Sequence, residues 1–239
     1  MIIDKESFGL TFSGKSILKP GAIAAILSAV SILFAIIAYY IWPYKGNTSS
    51  IEDIVAVLQT DRIGGLIALD VSMLIIGPVT MLMFVALYIV LRRVNEPIAL
   101  VALIMNMMAI VLVIVCRPLV ELAMLSDQFA LATDSVEKTR ILAAGEILRL
   151  QLDGTAWATQ TAFLMIAGLI NNTLMLRTKH FKKRTAWSGI VISAVGLPFF
   201  VPEVGLIFLF LNTIGSIPWC IFVADDLFRI SRAVSIQNT

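Results

Sequence analysis

The sequence predicts an all-α fold: a polytopic membrane helix bundle with six transmembrane helices and both termini in the cytoplasm. Three observations carry this expectation. Of the 239 residues, 59% are hydrophobic and only 14% charged, whereas about a quarter of the residues of an ordinary soluble domain are charged. Apolar runs near the roughly 20 residues needed to cross a hydrocarbon core of about 30 Å recur along the chain. Backbone polar groups must be satisfied inside each run, which makes the runs helices. Finally, Lys and Arg gather in short segments between runs: three before the first, two between the second and third, and five between the fourth and fifth. By the positive-inside bias those segments face the cytoplasm. A net charge of +2 gives no reason to expect nucleic acid as a partner.

The first span, residues 21–41, follows Lys5, Lys15 and Lys19 and ends in the aromatics Tyr39, Tyr40, Trp42 and Tyr44, an interfacial belt. It is long and lacks a small-residue cleavage site, so a removed signal peptide is not expected. Asn47, Thr48 and Ser49 match a glycosylation acceptor, a pattern too short to carry an argument. Ser49 and Glu52 have capping-box spacing, and Ile51, Ile54, Val55 and Leu58 share one face of a short helix over residues 50–60. That helix lies on the outer interface or folds over the bundle. The second span, residues 64–91, carries Asp70 and the pair Gly77-Pro78, which predicts a kink.

The third span, residues 97–122, holds Asn106 and the methionines Met105, Met107 and Met108, read as adaptable packing. Residues 126–133 are polar and read as a loop. Asp134 and Glu137 then start an amphipathic outer helix over residues 135–152, with Ile141, Leu142, Ile147, Leu148 and Leu152 on its apolar side. The fourth span, residues 154–176, contains Thr155, Gln160, Thr161, Asn171 and Asn172, the composition of a helix packed inside a bundle. In the fifth, residues 186–201, Gly189, Ser193 and Gly196 predict close approach to a neighbour. The sixth, residues 204–224, bends near Gly215 and Pro218 and leads to an i,i+4 pair of Asp225 and Arg229. The whole chain forms one membrane domain.

At about 1.5 Å per residue, Asp70 lies roughly 10 Å below the outer surface, and Arg117 reaches a similar depth from the opposite direction. An isolated charge there costs at least a few kcal/mol, so the two are expected to meet. Glu121 follows Arg117 by one turn, and Glu146, Arg149 and Asp153 share a helical face that Trp157 and Gln160 extend. The expectation is an outward-facing polar pocket lined by Asp70, Arg117, Glu121, Glu146, Arg149, Asp153 and Gln160. The competing reading makes the same residues structural ion pairs, with Arg149 and Asp153 as a surface i,i+4 pair. The run Arg177, Lys179, Lys182, Lys183 and Arg184 is an orientation signal and also suits anionic lipid headgroups.

Inventory removes several chemistries. The one histidine, His180, sits in the basic loop, which leaves bis-histidine haem, multi-histidine zinc and Ser-His catalysis unsupported. The expected spans hold no lysine for a Schiff base. We therefore assign no catalytic residue, metal or cofactor. Cys116 and Cys220 fall at opposite sides in this topology and are not expected to pair.

Over residues 160–232 the chain resembles an uncharacterised family of six-span prokaryotic membrane proteins. The resemblance rests on Gly168-Leu169-Ile170, the span end at Leu174 to Arg177, the basic turn, Trp187 with Gly189, Ile217-Pro218-Trp219 and Asp226-Leu227-Phe228-Arg229. It implies a six-helix bundle of a prokaryotic inner membrane and brings no activity with it. The function expected first is a non-enzymatic accessory subunit or ligand- or lipid-binding module, with membrane lipids and other membrane subunits as partners. A small transporter using the Asp70 and Arg117 level, and a membrane enzyme with carboxylate chemistry, are the alternatives.

Overall fold

The computed structural model describes residues 16–41 and 49–236, and these fold into ten α-helices and a 3-10 turn. In chain order they are α1 (Leu18–Ile41), α2 (Ile51–Thr60), α3 (Arg62–Ala68), α4 (Val71–Leu91) and α5 (Glu96–Val115). Then come α6 (Leu119–Leu131), α7 (Ser135–Leu152), α8 (Thr155–Leu176), α9 (Lys183–Gly196), the 3-10 turn Leu197–Phe200 and α10 (Gly205–Ile236). Four stretches are long and apolar enough to cross a membrane: Leu18–Ala38, Val71–Leu91, Glu96–Leu131 and Gly205–Ala233. Amides and threonines dilute the apolar character of α8, and α9 has only 14 residues.

Six helices close into a ring. Each of α1, α4, α5, α8, α9 and α10 packs on the next, and α10 returns to pack along α1. Gly21 meets Ala86 while Ser28 meets Thr80, so α1 and α4 are antiparallel. Gly168 against Ser193 and Gly189 against Asn172 fix the same relation between α8 and α9. These glycines are needed: a Cβ at Gly189 would collide with the Asn172 amide, and one at Gly21 with the Ala86 side chain. Outside the ring stand Val30, Leu33, Val101, Val111, Leu206 and Leu211, all well exposed. So large an apolar skirt is the surface that lipid covers.

The four remaining helices, α2, α3, α6 and α7, form a cap over one end of the ring. Their own core contains Ile51, Ile54, Val55, Leu58, Leu122 and Leu125. The apolar face of α2 therefore points into protein, folded over the bundle, because Ser126 donates to the Val55 carbonyl at 3.2 Å and holds α6 against it. Its cap is Ser50 with Asp53, a reciprocal box one residue beyond the expected Ser49 and Glu52. Asp134 caps α7 by accepting from the Val136 amide. The expected apolar side of α7 is only partly right: Leu152 is buried, but Ile147 is 70% exposed.

Two expected spans are broken. Residues 64–91 do not form one helix, because Asp70 adopts a left-handed backbone (φ 66°) between α3 and α4. Residues 97–122 divide at Cys116 to Pro118, where proline withholds an amide and starts α6. The polar stretch expected to be a loop, residues 126–133, is helical as far as Leu131. In contrast, α4 and α10 run through Pro78 and Pro218 without interruption.

At the end opposite the cap, Asp226 is fully buried and accepts from the Lys182 amide, Thr185 Oγ1 and Arg229 Nη2. Asp225 pairs with Lys182 at 2.7 Å and Arg184 at 2.9 Å. The expected Asp225–Arg229 pair is thus replaced by Asp226–Arg229 at i,i+3, because residues of the basic turn occupy Asp225 first. Lys5, Lys15, Trp42, Tyr44 and the Asn47 acceptor lie outside the described residues, as do the side chains of Tyr39 and Tyr40.

Candidate functional site

The residues expected to line one outer pocket lie in three places. Asp70 and Arg117 meet: Arg117 Nη2 donates to Asp70 at 3.1 Å, and Nη1 donates to the Leu152 carbonyl at 2.9 Å. The guanidinium is 10% exposed and the carboxylate 38%. Arg117 thereby ties both helix breaks to the C-terminus of α7. Asp153, at that C-terminus, is exposed overall, yet its carboxyl sits among protein atoms that displace water and raise its pKa, against the pull of Arg117 and Arg149.

Glu146 and Arg149 form the second place. Arg149 donates from Nε at 2.8 Å and from Nη2 at 2.6 Å to the two oxygens of Glu146, whose pKa falls below the usual glutamate value chiefly through this bonding. The pair borders an open groove of about 770 Å³ between α7 and the start of α2, with Ser50, Glu52 and Thr139 on its other walls. Arg149 spends its forked geometry on Glu146, so the i,i+4 pair with Asp153 is not the one made. Glu121 is exposed on the first turn of α6 and does not line either cavity.

Gln160 belongs to the third place, a cavity inside the ring. Helix α7 ends at Asp153 and the backbone turns at Gly154, so the face of Glu146 to Asp153 does not continue to Gln160. The cavity has a volume of about 360 Å³ and takes residues from all six ring helices. Gly77 opens space on α4, while Met83, Phe84 and Ile110 give apolar wall. Most of the hydroxyls and amides that reach it are already used. Ser28, Thr80, Thr161, Thr213 and Ser216 bond backbone carbonyls four residues earlier on their own helices, the usual way a polar side chain is accommodated in an apolar bundle.

Asn172 donates to the Gly168 carbonyl and accepts from Trp219 Nε1 at 3.0 Å, and Asn212 donates to the Ile192 carbonyl at 2.9 Å. Among the described residues, two buried lining atoms have no partner: Ser31 Oγ and Asn106 Nδ2, the latter on a residue only 1% exposed. Arg117 closes the cavity at the capped end and is the charged side chain in its wall.

Sequence reasoning assigned Gln160 and Arg117 to an outward-facing pocket with the charged residues, and it missed this cavity with Ser31, Asn106 and its other polar lining residues as members of one site. The available signal was at least one hydroxyl or amide within each ring helix. Such residues are common helix-packing groups singly, and only ring closure makes them converge.

In the basic loop, Lys182 and Arg184 are held by Asp225, while Arg177, Lys179 and Lys183 are exposed. Burial, and then the nearby charges of Arg93 and Arg229, push the His180 pKa below its usual value. Among the described residues, no group of three or more His, Cys, Asp or Glu is placed to hold a metal ion. Cys116 and Cys220 are both free and buried. Comparison with protein-family models, curated proteins and solved structures finds no match to this chain.

Proposed function

We propose that the protein is a six-span membrane protein of a prokaryotic inner membrane whose helix ring binds a small molecule in its central cavity, acting as a non-enzymatic binding module or subunit. The observation that carries this reading is a partly open space of about 360 Å³ lined by a buried donor, Asn106 Nδ2, that has no partner among the described residues. Ligand pockets of roughly 300–1,000 Å³ with mostly apolar walls and a few placed polar groups are the usual form of small-molecule sites. A buried amide left without a partner costs about 1–3 kcal/mol, which a bound molecule would offset.

Six spans are supported by the ring itself, in which α8 and α9 stand side by side between two of the long apolar helices, α5 and α10. Helix α9 with its 3-10 turn covers roughly 29 Å at about 1.5 and 2.0 Å per residue, close to the thickness of the hydrocarbon core. Both termini then lie on the basic, cytoplasmic side, where exposed Arg177, Lys179 and Lys183 meet anionic lipid headgroups. Reporter fusions after residues 94, 153, 181 and 202 test the topology. Cytoplasmic signals at 94 and 181 with external signals at 153 and 202 are expected, and any other pattern overturns it.

The ligand reading is tested by purification in mild detergent, native mass measurement and extraction of bound compounds. A stoichiometric small molecule is expected with the wild type and should be lost in Thr213→Phe, which places a ring in the cavity. Protein that never carries one from any membrane extract defeats the proposal. A second reading, a small transporter, draws on Arg117, which lines the cavity and also pairs with Asp70 at the level where α4 begins and α5 ends. Uptake of the extracted compound by proteoliposomes, abolished by Arg117→Gln, would select it.

A further inference from the structure

We infer that the cavity takes an uncharged amphiphile, with a hydroxyl or carbonyl oxygen accepting from Asn106 Nδ2, Ser31 Oγ open to a second polar atom, and its apolar body against Met83, Phe84 and Ile110. This rests on the reading that the cavity holds a ligand, and it names the chemistry of that ligand.

The charge follows from the wall. Arg117 is the charged side chain that reaches the cavity, and Asp70 neutralises it at 3.1 Å, with the Leu152 carbonyl occupying a further guanidinium donor. An ionic ligand would enter a low-dielectric space with no free counter-charge, at a desolvation penalty of several kcal/mol. Its place is taken at far lower cost by a neutral group that hydrogen-bonds.

The polar group follows from the two free atoms. Gly21 on Ala86, Ser28 on Thr80 and Gly77 on Ile110 set the registers of α1, α4 and α5. Those registers place Ser31 at the level of Gly77 on α4, with Asn106 roughly one to two helical turns away along the ring axis on the other side of α4. Ser28 and Thr80, at the same level, bond each other and their own helices, so they do not compete for the ligand. A hydroxyl or carbonyl oxygen of the ligand satisfies Asn106, while Ser31 Oγ, which has no partner among the described residues and both donates and accepts, suits a second polar atom of the same molecule. The apolar body follows from Met83 and Phe84 of α4 and Ile110 of α5, which line the cavity together.

The test uses the full-length protein in lipid nanodiscs with three photoactivatable probes of equal short chain length: a monoacylglycerol, a fatty acid and an alkyltrimethylammonium. Saturable labelling of the α4 and α5 peptides that line the cavity by the monoacylglycerol, at least tenfold in preference to both ions, is expected. Asn106→Leu should lower that labelling about tenfold, the loss of one hydrogen bond to a buried group. It should at the same time raise the unfolding midpoint of the ligand-free protein, because the unpartnered amide is gone. A purely structural asparagine would instead lose stability.

Preference for the fatty acid or the ammonium probe overturns the inference while leaving a ligand site in place, as does wild-type labelling by Asn106→Leu. Failure of all three probes to label cavity peptides removes the ligand reading itself. Ser31→Ala carries the same paired comparison of labelling and midpoint should Asn106→Leu not fold.

Discussion

Replacing Asp70 by Asn and Arg117 by Gln, separately and together, tests whether their ion pair fastens the cap to the ring. Asn tolerates the left-handed backbone that Asp70 adopts (φ 66°), so Asp70→Asn removes charge without adding backbone strain. The guanidinium is 10% exposed and the carboxylate 38%, so the two changes are unequal. Without the carboxylate charge, a nearly buried cation is left with neutral acceptors, the Leu152 carbonyl, Cys116 Sγ and the amide oxygen of the new side chain. Without the guanidinium, the half-exposed carboxylate rehydrates. Loss of a partner costs about 3–5 kcal/mol for fully buried pairs and about 1.5–3 kcal/mol for a hydrogen bond to a charged group. Partial exposure of Asp70 places Asp70→Asn at about 2–3 kcal/mol and Arg117→Gln at about 1–2 kcal/mol. Equilibrium unfolding in detergent micelles measures both. The double variant should cost less than the sum by at least about 1 kcal/mol, the signature of direct coupling. Additive losses, or Arg117→Gln as the costlier change, would refute the reasoning.

Asp226 is fully buried beneath three donors, so Asp226→Ala should destabilise by about 3 kcal/mol or more, whereas Lys183→Ala at an exposed position should shift the unfolding midpoint little. Gly189→Ala drives a methyl into the Asn172 amide; it should break the bond to Trp219 Nε1, shift tryptophan emission and destabilise by about 1–3 kcal/mol. His180 has a depressed pKa in the folded protein, so below about pH 6.5 the unfolded chain takes up a proton that the folded protein resists. Stability should therefore fall as pH drops through that value, flatten once the folded state is also protonated, and lose this component in His180→Gln. Glu146, with a depressed pKa, acts lower: its contribution is complete above about pH 4.3 and disappears as pH falls through the folded value, a change absent from Glu146→Gln.

Features fixed by local chemistry were legible before the structure. Apolar runs, the helix start at Asp134 and the need of Asp70 and Arg117 for one another follow from residue type and spacing alone. Errors arose where a third partner decided the outcome. Arg229 prefers Asp226 because Lys182 and Arg184 arrive from another part of the chain to occupy Asp225. Of the two places the sequence left open for α2, the one over the bundle is taken because α6 bonds across it, through Ser126 to Val55 and through Gln59 to the Ser126 carbonyl. An aspartate in the left-handed region has no sequence signature that separates it from an intramembrane charge. The cavity was the least legible feature, since Ser31, Asn106 and Asn212 lie far apart in sequence and become one wall only when α10 reaches α1.

That last closure carries a consequence for biosynthesis. Until α10 leaves the ribosome the ring has a gap between α9 and α1, and Asn172 lacks the Trp219 indole while the Ile192 carbonyl lacks the Asn212 amide. On the six-span reading proposed above, the polar helix α8 and the short helix α9 would then face lipid with unpaired amides, which is costly, and are expected to be held by the insertion machinery until α10 arrives. A chain shortened before Gly205 should stay bound to that machinery and be degraded, and co-expression of α10 as a separate fragment should rescue it. The final helix is in this sense the keystone of the nascent chain.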